Sequence, residues 1–169
     1  MRLLGWRFAG DVPNVAKAVI IVAPHTSNWD FFIALAARLA LGLRASFLGK
    51  YSLFRGPVGA FMRLIGGVPV DRSSPHHVVD QTVAAIRSAD AMLLALSPEG
   101  TRKKLPKWRT GFFHVAHGAG VPIVPVALDY STRTVRFFPA EDPGESPDEA
   151  LTRFGARFSA SMARYPEQY

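Results

Sequence analysis

The chain contains no cysteine, which excludes a disulfide framework, thiolate metal ligands and any acyl-enzyme carried on sulfur. That absence fits a cytoplasmic setting. No export signal is expected either, because Met1 to Arg7 carries Arg2 and Arg7 but no apolar core of the needed length. The most membrane-like window, Phe31 to Leu48, is interrupted by Arg38 and Arg44, so no spanning helix is expected. Any contact with a bilayer is then expected to be peripheral, from the inner face. No repeat, low-complexity tract or long linker divides the sequence, and the expectation is one domain over residues 1–169. Acidic side chains are outnumbered, 13 Asp and Glu against 20 Lys and Arg, for a formal charge of +7. Partners should therefore be anionic: phosphorylated metabolites, an acidic membrane surface or nucleic acid. No nucleic-acid motif or run of stacking aromatics accompanies the charge, so nucleic acid is not an expected partner.

Among what is present, 49% hydrophobic and 11% aromatic residues supply a core. The organising stretch is Pro24-His25-Thr26-Ser27-Asn28-Trp29-Asp30. Before it, Ala18 to Ala23 is a short, β-branched apolar run that reads as a buried strand. After it, Ser27 or Asn28 can cap a helix whose apolar positions Phe31, Phe32, Leu35 and Leu39 recur at helical spacing. His25 thus falls on a strand-to-helix turn at the carboxyl edge of a sheet, where open α/β sheets carry ligands. Asp30, in the first helical turn, can return to one imidazole nitrogen and leave the other free to take a proton. Such a pair suits activation of a substrate hydroxyl for attack on an acyl group. The same residues are also compatible with an ordinary helix cap.

Further strands are read at Arg44 to Leu48, Val68 to Val70, Ala91 to Leu96 and Val121 to Leu128, with a return at Thr134 to Phe138. Helices are read at Val58 to Ile65, after Ser73-Ser74-Pro75, and from Thr110-Gly111 to Gly118. The fold class that follows is α/β, a mixed, mostly parallel central sheet flanked by helices. Pro122 and Pro125 argue against a fully paired central position for the first half of their strand. A last helix from Ser146 should carry Leu151, Phe154, Phe158, Met162 and Tyr165 on one face.

Lys50 and Arg72 both emerge from strand ends. The loop Ser97-Pro98-Glu99-Gly100-Thr101-Arg102 follows another strand, where amides near Gly100 and Thr101 can donate to an anion and Arg102 can grip phosphate. Lys103 to Arg109 mixes cations with Trp108, a pattern compatible with anionic headgroups, nucleic acid or a solvated loop. His76, His77, His114 and His117 have no supporting carboxylate at ligand spacing, and no metal is expected.

Taken together, the motifs resemble those of the glycerolipid acyltransferases, the group that includes 1-acylglycerol-3-phosphate acyltransferase. His25 to Asp30 matches that family's H-x4-D block, Gly66 to Arg72 its second, Ser97 to Arg102 its EGTR block, and Val121 to Val126 its fourth, in the family's order. The resemblance implies a glycerol-3-phosphate acyltransferase-like fold. It implies His25 as general base, Asp30 as its orienter, and Arg72, Arg102 and Lys50 on the acceptor's phosphate. Glu99, Gly100 and Thr101 would shape the third block, and Pro125 the donor side. It further implies direct transfer to a lysophospholipid hydroxyl from acyl-CoA or acyl-carrier protein, with no other cofactor. Members acting on lysophosphatidate commonly carry an amino-terminal membrane anchor, whereas here the first block begins at residue 25. Ser97 stands where Phe is frequent. Another lysolipid or hydroxyl acceptor, an acyl-thioester hydrolase and a non-catalytic lipid-binding protein remain as alternatives.

Overall fold

A computed structural model of the chain describes residues 1, 5–70, 75–102, 104 and 106–169. Among these, the strands are β1 (Arg7–Ala9), β2 (Lys17–Ala23), β3 (Ala45–Lys50), β4 (Gly67–Val70), β5 (Met92–Leu96), β6 (Ile123–Asp129) and β7 (Thr134–Phe137). The helices are α1 (Asn28–Ala40), α2 (Gly56–Leu64), α3 (Pro75–Ser88), α4 (Gly111–Ala119) and α5 (Pro147–Gly155). The strands form one sheet in the order β1-β7-β6-β2-β5-β3-β4. Every neighbouring pair is parallel except the β6–β7 hairpin. This is the mixed, mostly parallel α/β architecture expected.

β2 lies at the centre because its apolar run satisfies both faces at once, as strands covered by helices on two sides must. Val19, Ile21 and Ala23 pack with Phe112, Phe113 and Phe154 of α4 and α5. Ala18 and Ile20 point the other way, toward Ile33 and Ala37 of α1. Fully buried Ile21 alone contributes about 1.5–3 kcal/mol relative to an exposed side chain.

The α1 face of the sheet also carries α2. Phe31 of α1 meets Phe47 of β3 edge-on at 5.3 Å. Phe47 pairs with Gly67 of β4, so both point to this face, as does Gly49 by alternation. The ring of Phe54, in the turn that leads into α2, lies against both glycines. A Cβ at Gly49 would fall 2.7 Å from that ring and one at Gly67 2.9 Å.

One expectation holds and one requires correction. β6 lies between β2 and β7 in the sheet, but as its prolines imply its first half is not fully paired: β2 pairs with Ile123 to Ala127, whereas the β7 ladder begins only at Val126. The nitrogen and carbonyl of one strand residue face the same edge, and the Pro125 carbonyl accepts from Phe138 beyond the end of β7. The missing N–H is therefore on the β7 side and leaves the β2 ladder intact. The final helix stops at Gly155 instead of continuing to Tyr165. Phe158 still packs, tilted against Trp108 at 5.4 Å, and the chain then doubles back, the Tyr130 N–H donating to the Met162 carbonyl at 2.9 Å. Of the apolar positions past the helix, Phe158 is buried and Met162 half-buried in these turns, while Tyr165 is exposed.

Candidate active site

Because β2, β3, β5 and β6 run parallel, their carboxyl ends meet at one edge and bring four loops together. Ser27 caps α1: its hydroxyl accepts from the Trp29 N–H at 3.1 Å, and the Asp30 carboxylate returns to the Ser27 N–H at 2.8 Å, a capping box. The same Asp30 oxygen accepts from the Thr26 N–H at 2.8 Å and lies 3.1 Å from His25 Nδ1. The helix cap and the His25–Asp30 pair are thus one structure. Asp30 is 2% exposed and the His25 side chain 25%. With Nδ1 protonated against the carboxylate, Nε2 carries the lone pair, and it has no protein partner among the described residues.

Two residues that the sequence reading did not assign complete this arrangement. Tyr130 donates its hydroxyl to the other Asp30 oxygen at 2.7 Å. Its position is set by the β6–β7 turn, in which Asp129 accepts from the Ser131 and Thr132 hydroxyls at 2.6 and 2.7 Å. Burial raises the Tyr130 phenol above its ordinary value, and the hydrogen bond to Asp30 and its charge add to this against the opposing pull of Arg164. The phenol therefore remains a donor. Tyr130→Phe is expected to lower kcat about 10-fold with KM unchanged and stability reduced by about 1 kcal/mol, measured by steady-state kinetics and denaturant titration. Gln168 is the second. Its side-chain amide, in the orientation that satisfies its bonds, donates to the carbonyls of Thr26 at 3.0 Å and Arg102 at 2.7 Å, clasping the first and third blocks. Position at the end of a parallel strand was the available signal for Tyr130. None existed for Gln168.

Glu99, 6% exposed, accepts the His25 backbone N–H through both oxygens at 3.0 Å. It shapes the loop that holds His25. Burial raises its pKa above 4.5 and the nearby Asp30 charge adds to this, against the hydrogen bond from His25 and the His25 charge. A carboxyl raised on folding stabilises the fold while protonated and loses that contribution as pH climbs through its folded value. The stability of Glu99→Gln relative to the parent should accordingly increase as pH rises above 4.5 and then level off. Unfolding free energies measured from acid to neutral pH would contradict this if the difference shrank. Beside Glu99, the phenol of Tyr169 is pushed up to about 12 by burial and by the Glu99 charge.

Arg102 is exposed beside this edge, and exposed Lys50 closes β3. Arg72 lies outside the described residues. The Gly100 amide is already engaged, donating to the Ser97 carbonyl at 3.1 Å, so it does not serve as the free anion donor expected from sequence. Thr101 is half-buried. Arg164 adds a cation at 5.3 Å from the Trp29 ring and 5.9 Å from that of Tyr130. Trp108 is partly buried and packs against the core, tilted on Phe158 at 5.4 Å. Among the described residues no cluster of His, Asp and Glu is arranged to hold a metal, and His117 instead stacks on Phe113 at 5.3 Å.

Fold and site together define an α/β protein with an imidazole, steered by a buried carboxylate, at the carboxyl edge of its sheet. A family model described as Acyltransferase matches residues 8–129, and the chain belongs to that acyltransferase family. It is similar to the 1-acyl-sn-glycerol-3-phosphate acyltransferase of Salmonella typhimurium, 32% identical over 136 residues, covering 76% of this chain and 54% of the relative. The enzyme of the same name from Haemophilus influenzae is 31% identical over 127 residues, 71% of this chain and 51% of its own. The chloroplastic 1-acyl-sn-glycerol-3-phosphate acyltransferase BAT2 of Brassica napus is 32% identical over 111 residues, 62% of this chain and 32% of its own. The chain thus spans about half the length of the bacterial relatives and about a third of the plant one.

Proposed function

We propose that the protein transfers a fatty acyl group from an acyl thioester, acyl-CoA or acyl-carrier protein, to the hydroxyl of a lysophospholipid such as 1-acylglycerol-3-phosphate. The observation that carries this reading is the His25–Asp30 contact of 3.1 Å, with Nε2 left without a partner among the described residues. Nε2 takes the proton of the acceptor hydroxyl as its oxygen attacks the thioester carbonyl. Asp30 steadies the resulting imidazolium, and the tetrahedral intermediate collapses as the thiolate leaves and receives that proton. Transfer is direct, with both substrates bound together. The acceptor's phosphate is met by Arg102 and Arg72, with Lys50 at the end of β3. The names of the relatives favour lysophosphatidate as the acceptor. Because the acceptor is an amphiphile, the protein works as a peripheral enzyme on the cytoplasmic, inner face of a membrane. No described helix is long and apolar enough to cross one.

The test is incubation with labelled acyl-CoA and a panel of lysolipids. Acylated product that depends on the acceptor is expected; release of free acid without an acceptor would instead mark a thioester hydrolase, and binding without turnover a lipid carrier. Arg102→Ala and Arg72→Ala should each raise the acceptor KM about 10-fold, with a smaller effect on kcat, since each removes one charge-assisted contact. An unchanged KM for phosphorylated acceptors in both variants would rule out these grips.

A further inference from the structure

α2 is built inside out. The residue it buries is Gly59, while Val58, Phe61 and Leu64, spaced along one stripe, face solvent, with Phe61 53% and Leu64 79% exposed. On the same face of the sheet, α1 leaves Phe32 and Leu39 exposed, and Tyr51 is exposed where the chain enters the turn before α2. An amphipathic helix in a soluble fold turns such a stripe inward, so this face calls for a cover. The charge around it identifies one: residues 31 to 70 contain five Lys and Arg and no Asp or Glu. Four of those cations, Arg44, Lys50, Arg55 and Arg63, are exposed. Apolar side chains flanked by long basic ones match the acyl region and headgroup layer of an anionic bilayer, the stripe sinking between chains while the cations rise to the phosphates.

We infer that the exposed face of α1 and α2 is the surface on which this protein docks to an anionic membrane, in place of residues 103–109. The inference rests on the lipid acyl-transfer reading for its purpose. α1 begins just past His25, so a protein seated this way holds Nε2 at the boundary from which an amphiphilic acceptor enters.

Sedimentation with vesicles of phosphatidylcholine, with and without phosphatidylglycerol, tests it on the whole chain. Wild type should bind the anionic vesicles more tightly. The double variant Phe61→Glu/Leu64→Glu should lose about 10-fold or more in partitioning. Arg136→Glu changes net charge by the same amount from the exposed side of β7, and should stay within about 2-fold. Wild type that ignores vesicles, a double variant that binds like wild type, or an equal loss in Arg136→Glu would each overturn the assignment. So would a wild-type dimer that the double variant dissolves while still binding vesicles, which would make a second copy the cover. A double variant defective only with acyl-carrier protein as donor would transfer the face to an acidic protein partner. Turnover of a short-chain, water-dissolved lysophosphatidate separates the two readings. It should be unchanged in the double variant, and its absence from wild type alongside the expected vesicle results would sink the transferase reading while leaving the docking face standing.

Discussion

His25→Ala is expected to lower acyl transfer by about 10³-fold or more while the thermal midpoint stays within about 3 °C of the parent. The two halves of that expectation have separate causes. Activity should be lost because the proposed base is removed. Stability is kept because the imidazole is partly exposed, its hydrogen bond is to Asp30, and Asp30 retains the Thr26 and Ser27 amides and the Tyr130 hydroxyl without it. Initial rates with saturating donor, together with circular dichroism, check both. Full activity in a folded variant would remove His25 from the chemistry.

Asp30 should behave differently, since four donors converge on it at the positive end of α1. Asp30→Ala strands two buried amides, and a loss of about 2–4 kcal/mol is expected together with loss of activity. Asp30→Asn separates the roles. Its oxygen can stay on the loop amides and the imidazole while its NH2 faces Tyr130, whose hydroxyl can turn to accept. Much of the stability should return. Turnover should remain down by about 10²–10⁴-fold, because a neutral amide no longer balances the imidazolium. An Asp30→Asn variant as active as the parent would reduce Asp30 to a helix cap.

Much of this was legible in the sequence because the strands are short apolar runs with clear stops. β2 and the capped start of α1 were both readable, and their junction alone puts His25 and Asp30 on one turn. The neighbours of that turn were not readable. Tyr130 is one hundred positions from Asp30, and only the strand order, with β6 beside β2, makes them adjacent. Glu99 stood out as part of a motif, yet its buried grip on the His25 amide emerges only from the register of β2 with β5. The periodicity past Gly155 was genuine apolar patterning in a segment whose backbone had left the helix. The helix over Val58 to Ile65 was legible, but nothing in the sequence said that its apolar residues would face outward.

Phe54 ties these regions together mechanically. One ring, seated on Gly49 and Gly67, keys the α2 unit to the β3–β4 margin of the sheet, three strands away from the hairpin that anchors Tyr130. A side chain at either glycine would have to displace that ring, so a substitution there should unseat α2 while the amides and phenol that hold Asp30, which lie outside the joint, keep their bonds.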